Sequence, residues 1–176
     1  ADATQLETAP ESHGKNAGKL MLNRTIKGKQ TTELLAGIVQ HSLDKLPIPK
    51  RMRWGASRIE FVRPAHWLIM LFGNDVVDAE VLGLKAGNTS RGHRFHAPGE
   101  ITISTPGEYE SKLRDAWVMA DAAERAELIR QQVTAEGKKL GGEAIIDDDL
   151  LEEVTALNEW PVALAGSFDE DFLHVP

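Results

Sequence analysis

The segment Arg91-Gly92-His93-Arg94-Phe95-His96 gathers side chains that suit the binding of a polyanion. A guanidinium offers a planar set of donors for phosphate, and the ring of Phe95 can stack on a nucleobase. The alternative interpretation is a solvated loop that Phe95 anchors to the core. Composition leaves both open, namely nucleic-acid contact through Arg91, His93 and Arg94 or a purely structural loop.

His93 and His96 also raise the question of a metal site, because imidazole is a common metal ligand. A third ligand is missing, since no carboxylate or thiol lies next to them in the sequence. The chain contains no cysteine, which excludes disulfides, thiolate zinc sites and cysteine nucleophiles. We therefore expect this chain to hold neither a metal ion nor a cofactor.

A second basic cluster, Lys50-Arg51-Met52-Arg53-Trp54, follows the segment Leu46-Pro47-Ile48-Pro49. That segment must be extended, because residues before proline avoid the α region. The cations of the cluster are candidate phosphate contacts, or their stems cover a buried Trp54. The two clusters form one positive surface if they lie together; alternatively, their arginines pair with carboxylates inside the fold. The candidate RNA-contacting residues are Lys50, Arg51, Arg53, Arg91, His93 and Arg94.

Charge is spread unevenly along the 176 residues, although the net charge is −7. Residues 45–96 carry a net charge of +5 and residues 97–176 a net charge of −12. Nucleic-acid binding depends on the electrostatic field of a local surface patch and not on the net charge of the whole chain. The basic stretch therefore keeps nucleic acid open as a partner. The hydrophobic share of 41% and the charged share of 27% are typical of a soluble globular protein. No apolar run reaches 18 residues, and the polar N-terminus lacks both an initiator Met and a signal peptide, so we expect an excised internal fragment without membrane contact.

The hydrophobic pattern predicts an α+β fold, with a mixed or antiparallel sheet in the first two thirds of the chain and several helices in the last third. Residues 1–18 are rich in small and polar side chains, which favours a linker or disordered entry, and residues 19–176 form the folded module. The predicted strands are 19–27, 66–72, 76–84, 101–104 and 162–167, with a turn at 73–75 and a loop at 85–99.

Four helices are predicted. The first spans 31–46 with one apolar stripe, and the second begins at the capping-box spacing of Thr105-Pro106-Gly107-Glu108, with Tyr109, Leu113 and Trp117 as its inner face. The third helix begins at the cap Asp121 and ends at Gly141-Gly142. The fourth begins at the cap Asp147-Asp148-Asp149 and ends before Pro161. Their positions in apolar runs predict that three tryptophans are largely buried: Trp54, Trp67 and Trp160.

Catalytic motifs are missing from the sequence. It contains no GxSxG elbow, P-loop, GxGxxG or HExxH, and its Ser, His and Asp residues show no triad spacing. The residues alone therefore indicate a soluble α+β domain with a basic loop region.

Five ordered strings resemble the glycyl-tRNA synthetase β subunit of bacterial type. The resemblance covers the chain from about Gly18 to the end; the first 17 residues match poorly. One position departs from the family pattern, because Asn158 stands where a hydrophobic residue usually precedes EWPV, and we expect only a small packing change there. The strings are LPIPKRMRWG (46–55), FVRP with HW (61–67), RGHRF (91–95), LEEVT with EWPV (151–162) and FLHVP (172–176).

The resemblance implies a cytoplasmic heterotetramer of two α and two β subunits, a class II glycine–tRNA ligase. It places ATP, Mg²⁺ and glycine activation in the α subunit, and tRNA binding in the β subunit. An HD-like region and an anticodon-binding domain of that family lie outside this chain. The covered region is similar to a B3/B4-type synthetase module.

Three roles follow for this fragment within the ligase. The first is tRNA handling, and the second is docking to the α subunit or to other β-subunit domains, including the second β subunit. The third is an editing-like hydrolase, because related modules can edit mischarged tRNA. We expect the isolated fragment neither to activate glycine nor to hydrolyse ATP.

Overall fold

The structure is a computed structural model that describes residues 6–8, 11–22 and 27–175. Contacts divide the chain into two units, 1–34 and 35–176. Strands and helices are both present, and the sheets are small and antiparallel or mixed, which confirms the predicted α+β class. The similarity to a B3/B4-type module stays a prediction.

The first unit contains a short antiparallel pair. Strand β1 (Leu6–Thr8) pairs with β2 (Leu20–Leu22), and a 3-10 helix (Glu11–Asn16) lies between them in the chain. Regular elements thus occur within residues 1–18, where composition favours a linker. The predicted strand 19–27 contains β2, but Lys19 and Lys27 are not in a strand, and residues 23–26 lie outside the described part of the chain. The division into a linker and a module from residue 19 stays a prediction.

Helix α1 (Thr31–Asp44) ends two residues before the predicted end, ahead of Pro47. Its apolar stripe is narrower than the sequence predicts, because Ile38 is 55% exposed and Leu46 45% exposed. The side chains that pack against the sheet core of the second unit are Leu35, Ala36, Val39 and Leu43.

The second unit has its sheet core around a three-stranded sheet of order β5-β9-β8. Its outer strand β5 (Leu68–Ile69) runs parallel to β9 (Leu84–Gly87), and β8 (Glu80–Val81) runs antiparallel to β9. Three further antiparallel pairs are present: β3 (Met52–Arg53) with β4 (Glu60–Phe61), β6 (Leu71–Phe72) with β7 (Asp75–Val76), and β10 (Thr89–Arg91) with β11 (Glu100–Thr102). The buried side chains of the core are Met70, Val77, Ala79, Val81 and Ala86.

The strands are more fragmented than the apolar runs predict. The run 66–72 divides into β5 and β6 at buried Met70, and the hairpin predicted around residues 73–75 is present as β6–β7. The run 76–84 breaks because Leu82 and Gly83 both have positive φ, as a type I′ hairpin turn requires, and the chain reverses into β9. The predicted loop 85–99 is therefore partly wrong, since it contains most of β9 and all of β10.

The last third of the described chain is helical, as predicted. Asp121 Oδ1 accepts a hydrogen bond from Glu124 N and Asp147 Oδ1 accepts one from Leu150 N, both at 2.9 Å, which confirms the two caps. Gly141 follows the third helix with φ of 79°. No helix in the described residues is long and apolar enough to cross a membrane. The bounds are α2 (Tyr109–Asp115), α3 (Ala122–Lys139) and α4 (Asp148–Leu157), with 3-10 helices at Pro106–Glu108 and Glu170–His174.

The predicted capping box before α2 is only half formed. Thr105 makes no side-chain cap, whereas Glu108 Oε2 accepts a hydrogen bond from Ser104 N at 3.2 Å. The Lys112 ammonium donates to the Glu108 carboxylate at 2.7 Å, and this bond, with the one from Ser104, lowers the pKa of Glu108. The predicted inner face is partly wrong: Leu113 is buried, but Trp117 lies beyond the helix end and is 43% exposed.

The segment after α4 is held by side chains and not by a sheet. Asn158 N and Nδ2 both donate to Val154 O. The residue that departs from the family pattern thus caps the C-terminal end of α4. Gln132 of α3 accepts from Ala163 N at 2.7 Å and donates to Pro161 O at 3.3 Å. That amide satisfies the backbone at Pro161 and Ala163, and residues 162–167 form no strand in the described structure, so this prediction was wrong.

The expectation of three buried tryptophans is wrong for Trp67, whose residue surface is 47% exposed. Trp54 and Trp160 are half-buried. Trp160 packs edge-on against Trp117, with ring centroids 5.2 Å apart, and not against a final strand.

Ile103, which follows β11, is fully buried and offers a test of the packing. We expect Ile103→Ala to lower the free energy of unfolding by about 2–5 kcal/mol, because it leaves a cavity. Ile145→Ala is the matched control, since Ile145 is 99% exposed, and should change stability by less than about 0.5 kcal/mol. Chemical denaturation measures both, and equal losses would contradict this packing.

Candidate nucleic-acid interface

An open groove of about 790 Å³ lies beside β10 and the segment that follows it. We call it the basic groove, because the cations among its lining side chains are two guanidinium groups. Two carboxylates, Glu100 and Glu159, line it as well, so the formal charges of its side chains sum to zero and the name refers to the guanidinium groups alone. Its charged and aromatic lining residues are His66, Trp67, Arg91, Arg94, Glu100 and Glu159.

Arg91 stands at the rim of the basic groove on β10, opposite Glu100 of β11. Its Nη2 lies 3.5 Å from Glu100 Oε1, and the two side chains are 60% and 69% exposed. An exposed pair at this distance contributes little to stability, so the guanidinium remains available to a ligand. Its Cζ also lies 6.0 Å from the centroid of the Trp67 ring, at the outer limit of a cation–π contact.

Residues 91–97, the arginine loop, are held by backbone contacts with the residue after α2. His93 N donates to Ala116 O at 2.8 Å, and Ala97 N donates to His93 O at 2.9 Å. His93 Nδ1 accepts hydrogen bonds from the amides of Phe95 and His96, both at 3.2 Å. His93 therefore organises the loop, and its imidazole does so from a half-buried position.

A ladder of rings continues from the arginine loop into the helical part. The centroids of His93 and His96 are 4.5 Å apart, those of His96 and Trp117 4.9 Å, and those of Trp117 and Trp160 5.2 Å. Trp117 reaches this position with a φ of 61°, which a large side chain rarely adopts. The ladder thus fixes the loop to the segments that follow α2 and α4.

Arg94 and Phe95 form the outer part of the arginine loop. Arg94 Cζ lies 5.8 Å from the Phe95 ring centroid, and Phe95 is 81% exposed. Among the described residues, no carboxylate lies within 4.0 Å of the Arg94 side chain. Phe95 therefore does not anchor the loop to the core, and Arg94 keeps its positive charge uncompensated at the surface.

The second basic cluster has different uses. Arg51 Nη2 donates to Leu43 O at 3.3 Å and to Asp44 O at 3.1 Å, so it closes the C-terminal end of α1. Arg53 pairs with Glu60 across β3 and β4 at 3.5 Å, while Lys50 is exposed. The groove that Arg51 lines shares no lining residue with the basic groove, so the two clusters do not line a common groove.

Metal ligation by His93 and His96 gains no support. No group of three or more His, Asp or Glu side chains is close enough to hold a metal ion in the described part of the chain. The Nδ1 atom of His93 is already engaged by two amides.

Trp67 is the groove residue whose exposure the sequence did not predict. Its indole lies in an apolar run of the sequence, which favours burial, yet it lines the basic groove. The preceding Pro64-Ala65-His66 is a signal that could have placed Trp67 before the start of the strand, and so at the surface.

Comparison with known proteins places the whole chain in one family. Residues 1–176 match the family described as glycyl-tRNA synthetase beta subunit. The chain is 61% identical over 150 residues to the glycine–tRNA ligase beta subunit of Hahella chejuensis, covering 85% of this chain and 22% of that protein. The corresponding protein of Marinobacter nauticus is 57% identical over 162 residues, covering 90% and 23%. The chain thus spans less than a quarter of the length of these relatives.

Gly92 tests whether the arginine loop is fixed as described. An added Cβ would lie 2.6 Å from Ala97 O and 2.8 Å from Ala116 Cβ, and neither atom can move cheaply. We expect Gly92→Ala to cost about 1–3 kcal/mol of stability and to speed amide hydrogen exchange at Phe95 and His96. Gly99→Ala, which meets nothing within 4 Å, is the control and should leave that exchange unchanged. Equal behaviour of the two variants would contradict the close approach.

Proposed function

This chain belongs to the glycyl-tRNA synthetase beta subunit family, and from that membership we propose that it is a tRNA-handling module of a glycine–tRNA ligase. In this proposal the module binds part of the glycine tRNA, while the ligation of glycine takes place elsewhere in the assembly. The assembly is a cytoplasmic heterotetramer of two α and two β subunits.

The observation that carries the proposal is the pair Arg91 and Arg94 at the open basic groove. Arg94 has no carboxylate partner in the described structure, and Arg91 has only an exposed one at 3.5 Å. Exposed Trp67 and Phe95 stand beside them. Cations interleaved with aromatic rings are the combination that contacts both the phosphates and the bases of RNA.

The proposal assigns ATP and Mg²⁺ to the α subunit. The sequence has no glycine-rich phosphate loop, and glycine activation by this module alone is therefore not expected. Editing-type hydrolysis stays a prediction.

The tRNA role is tested by replacing both arginines in the whole enzyme, as Arg91→Ala with Arg94→Ala. We expect tRNA affinity to fall by about tenfold or more at moderate salt, and the slope of log affinity against log salt to fall by about one or more, because the phosphate contact of Arg94 is lost together with the charge of Arg91. Filter binding over a salt series measures both quantities.

The control for this variant is Lys138→Ala with Lys139→Ala at the end of α3, which removes the same charge from another place. The melting temperature of the arginine variant should match that of the native enzyme, since the Arg91–Glu100 pair is exposed. Unchanged tRNA affinity, or an equal loss in the lysine variant, would refute the proposed RNA contact.

A second candidate function is docking to the α subunit, and the apolar surface of the last helices favours it. We call this the helical apolar surface: a groove between α3 and α4 whose rim is exposed at Ile145 (99%) and Leu150 (57%). A contiguous exposed apolar surface is typical of an interaction site.

Docking is tested with the double change Ile145→Glu and Leu150→Glu in the full β subunit. We expect it to weaken association with the α subunit, because a carboxylate would be buried at the contact. Sedimentation of mixed subunits measures the assembly. Val76→Glu, at a 43% exposed position of the β6–β7 hairpin, should leave the assembly intact. Normal assembly of the double variant would exclude this surface.

A further inference from the structure

Trp67 lines two grooves. One is the basic groove, and the other is an open groove of about 480 Å³ lined by apolar side chains and Tyr109, which we call the apolar groove. The apolar groove is lined near Trp67 by Ile69, Pro106 and Tyr109, and Tyr109 is itself 39% exposed. Two exposed aromatic rings thus line the apolar groove, where a flat ligand could contact an indole face.

The exposure of Trp67 is costly in water, because an indole is among the largest apolar side chains and gains most from burial. The neighbouring Leu68 and Ile69 are half-buried in β5, so the same segment does reach the sheet. His66 lies beside the indole, with ring centroids 6.4 Å apart, but does not cover it. The indole therefore lies at the surface immediately before β5, where a ligand can reach it.

We propose that Trp67 is the stacking platform for an unpaired RNA nucleotide, with the base in the apolar groove and the adjoining phosphate at Arg94 in the basic groove. The inference rests on the proposed tRNA function and specifies which part of an RNA this site binds. A base inside a duplex is stacked on both faces and cannot reach an indole, so the site selects unpaired nucleotides.

The carboxylates of the basic groove determine where the phosphate lies. Glu100 forms an ion pair with Arg91, and Glu159 also lines the groove. Both carboxylates repel a phosphate close to them. Arg94 has no such partner in the described structure and is the phosphate ligand. The carboxylates are hydrogen-bond acceptors that suit a ribose 2′-hydroxyl, the group by which RNA differs from DNA.

The test compares single-stranded and duplex RNA on the assembled enzyme. Trp67→Ala should weaken the binding of a short single-stranded RNA by about tenfold or more, and Trp67→Phe should retain most of it, because phenylalanine still stacks. Binding of a duplex of the same sequence should not change. Equal affinities of the native and Trp67→Ala enzymes for the single strand would overturn the proposal, as would equal losses for single strand and duplex.

A second measurement needs no variant. A single-stranded RNA carrying 4-thiouridine, irradiated on the native enzyme, should crosslink to the peptide that contains Trp67, and the duplex should not. Crosslinks elsewhere only would overturn the proposal. If Arg91→Ala with Arg94→Ala weakens tRNA binding while Trp67→Ala leaves single-strand binding intact, the tRNA function stands and the stacking site fails. If the arginine variant binds tRNA normally, the tRNA function itself fails.

Discussion

Gly92 lies so close to the backbone of Ala97 and Ala116 that a side chain at this position would overlap both. This close approach allows His93 N to reach Ala116 O, and the ring of His96 packs at a tilt against Trp117. The arginine loop is therefore fixed to the helical part of the unit at several points. The proposed RNA contacts depend on it, because a guanidinium on a fixed loop loses less conformational entropy when it binds.

The charge distribution of the unit follows from how its acidic residues are engaged. Several carboxylates of the helices pair with cations nearby, as in the bonds of Arg114 with Glu124 and of Arg130 with Asp148. Others cap helices, as Asp121 and Asp147 do. Glu100 and Glu159 of the acidic last third do line the basic groove, so the positive charge of this site comes from Arg94, which has no carboxylate within 4.0 Å among the described residues. Arg51, by contrast, is not free to bind a ligand, because its guanidinium donates to a backbone carbonyl at the end of α1.

Much of the helical part could be predicted, because caps and apolar spacing are local signals. Asp121 and Asp147 each accept a bond from the amide three residues later, and Gly141 takes up a positive φ after α3. The strands were predicted less well. Leu82 adopts a positive φ that its residue type does not favour, so the reversal between β8 and β9 was hidden inside an apolar run. The pairing of β9 with β5 is parallel and non-local, and no spacing within either strand specifies it.

The sequence by itself determined the family, the α+β class and the importance of the segment around Arg91 and Arg94, because ordered motifs, periodicity and charge are properties of the chain. Only the tertiary structure decided which cations are free. Arg51 is engaged by backbone carbonyls of α1, whereas Arg94 meets no carboxylate in the described residues. It also decided that Trp67 faces a groove. Burial and charge pairing depend on which surfaces meet across the fold, and a linear pattern of residue types does not contain those distances.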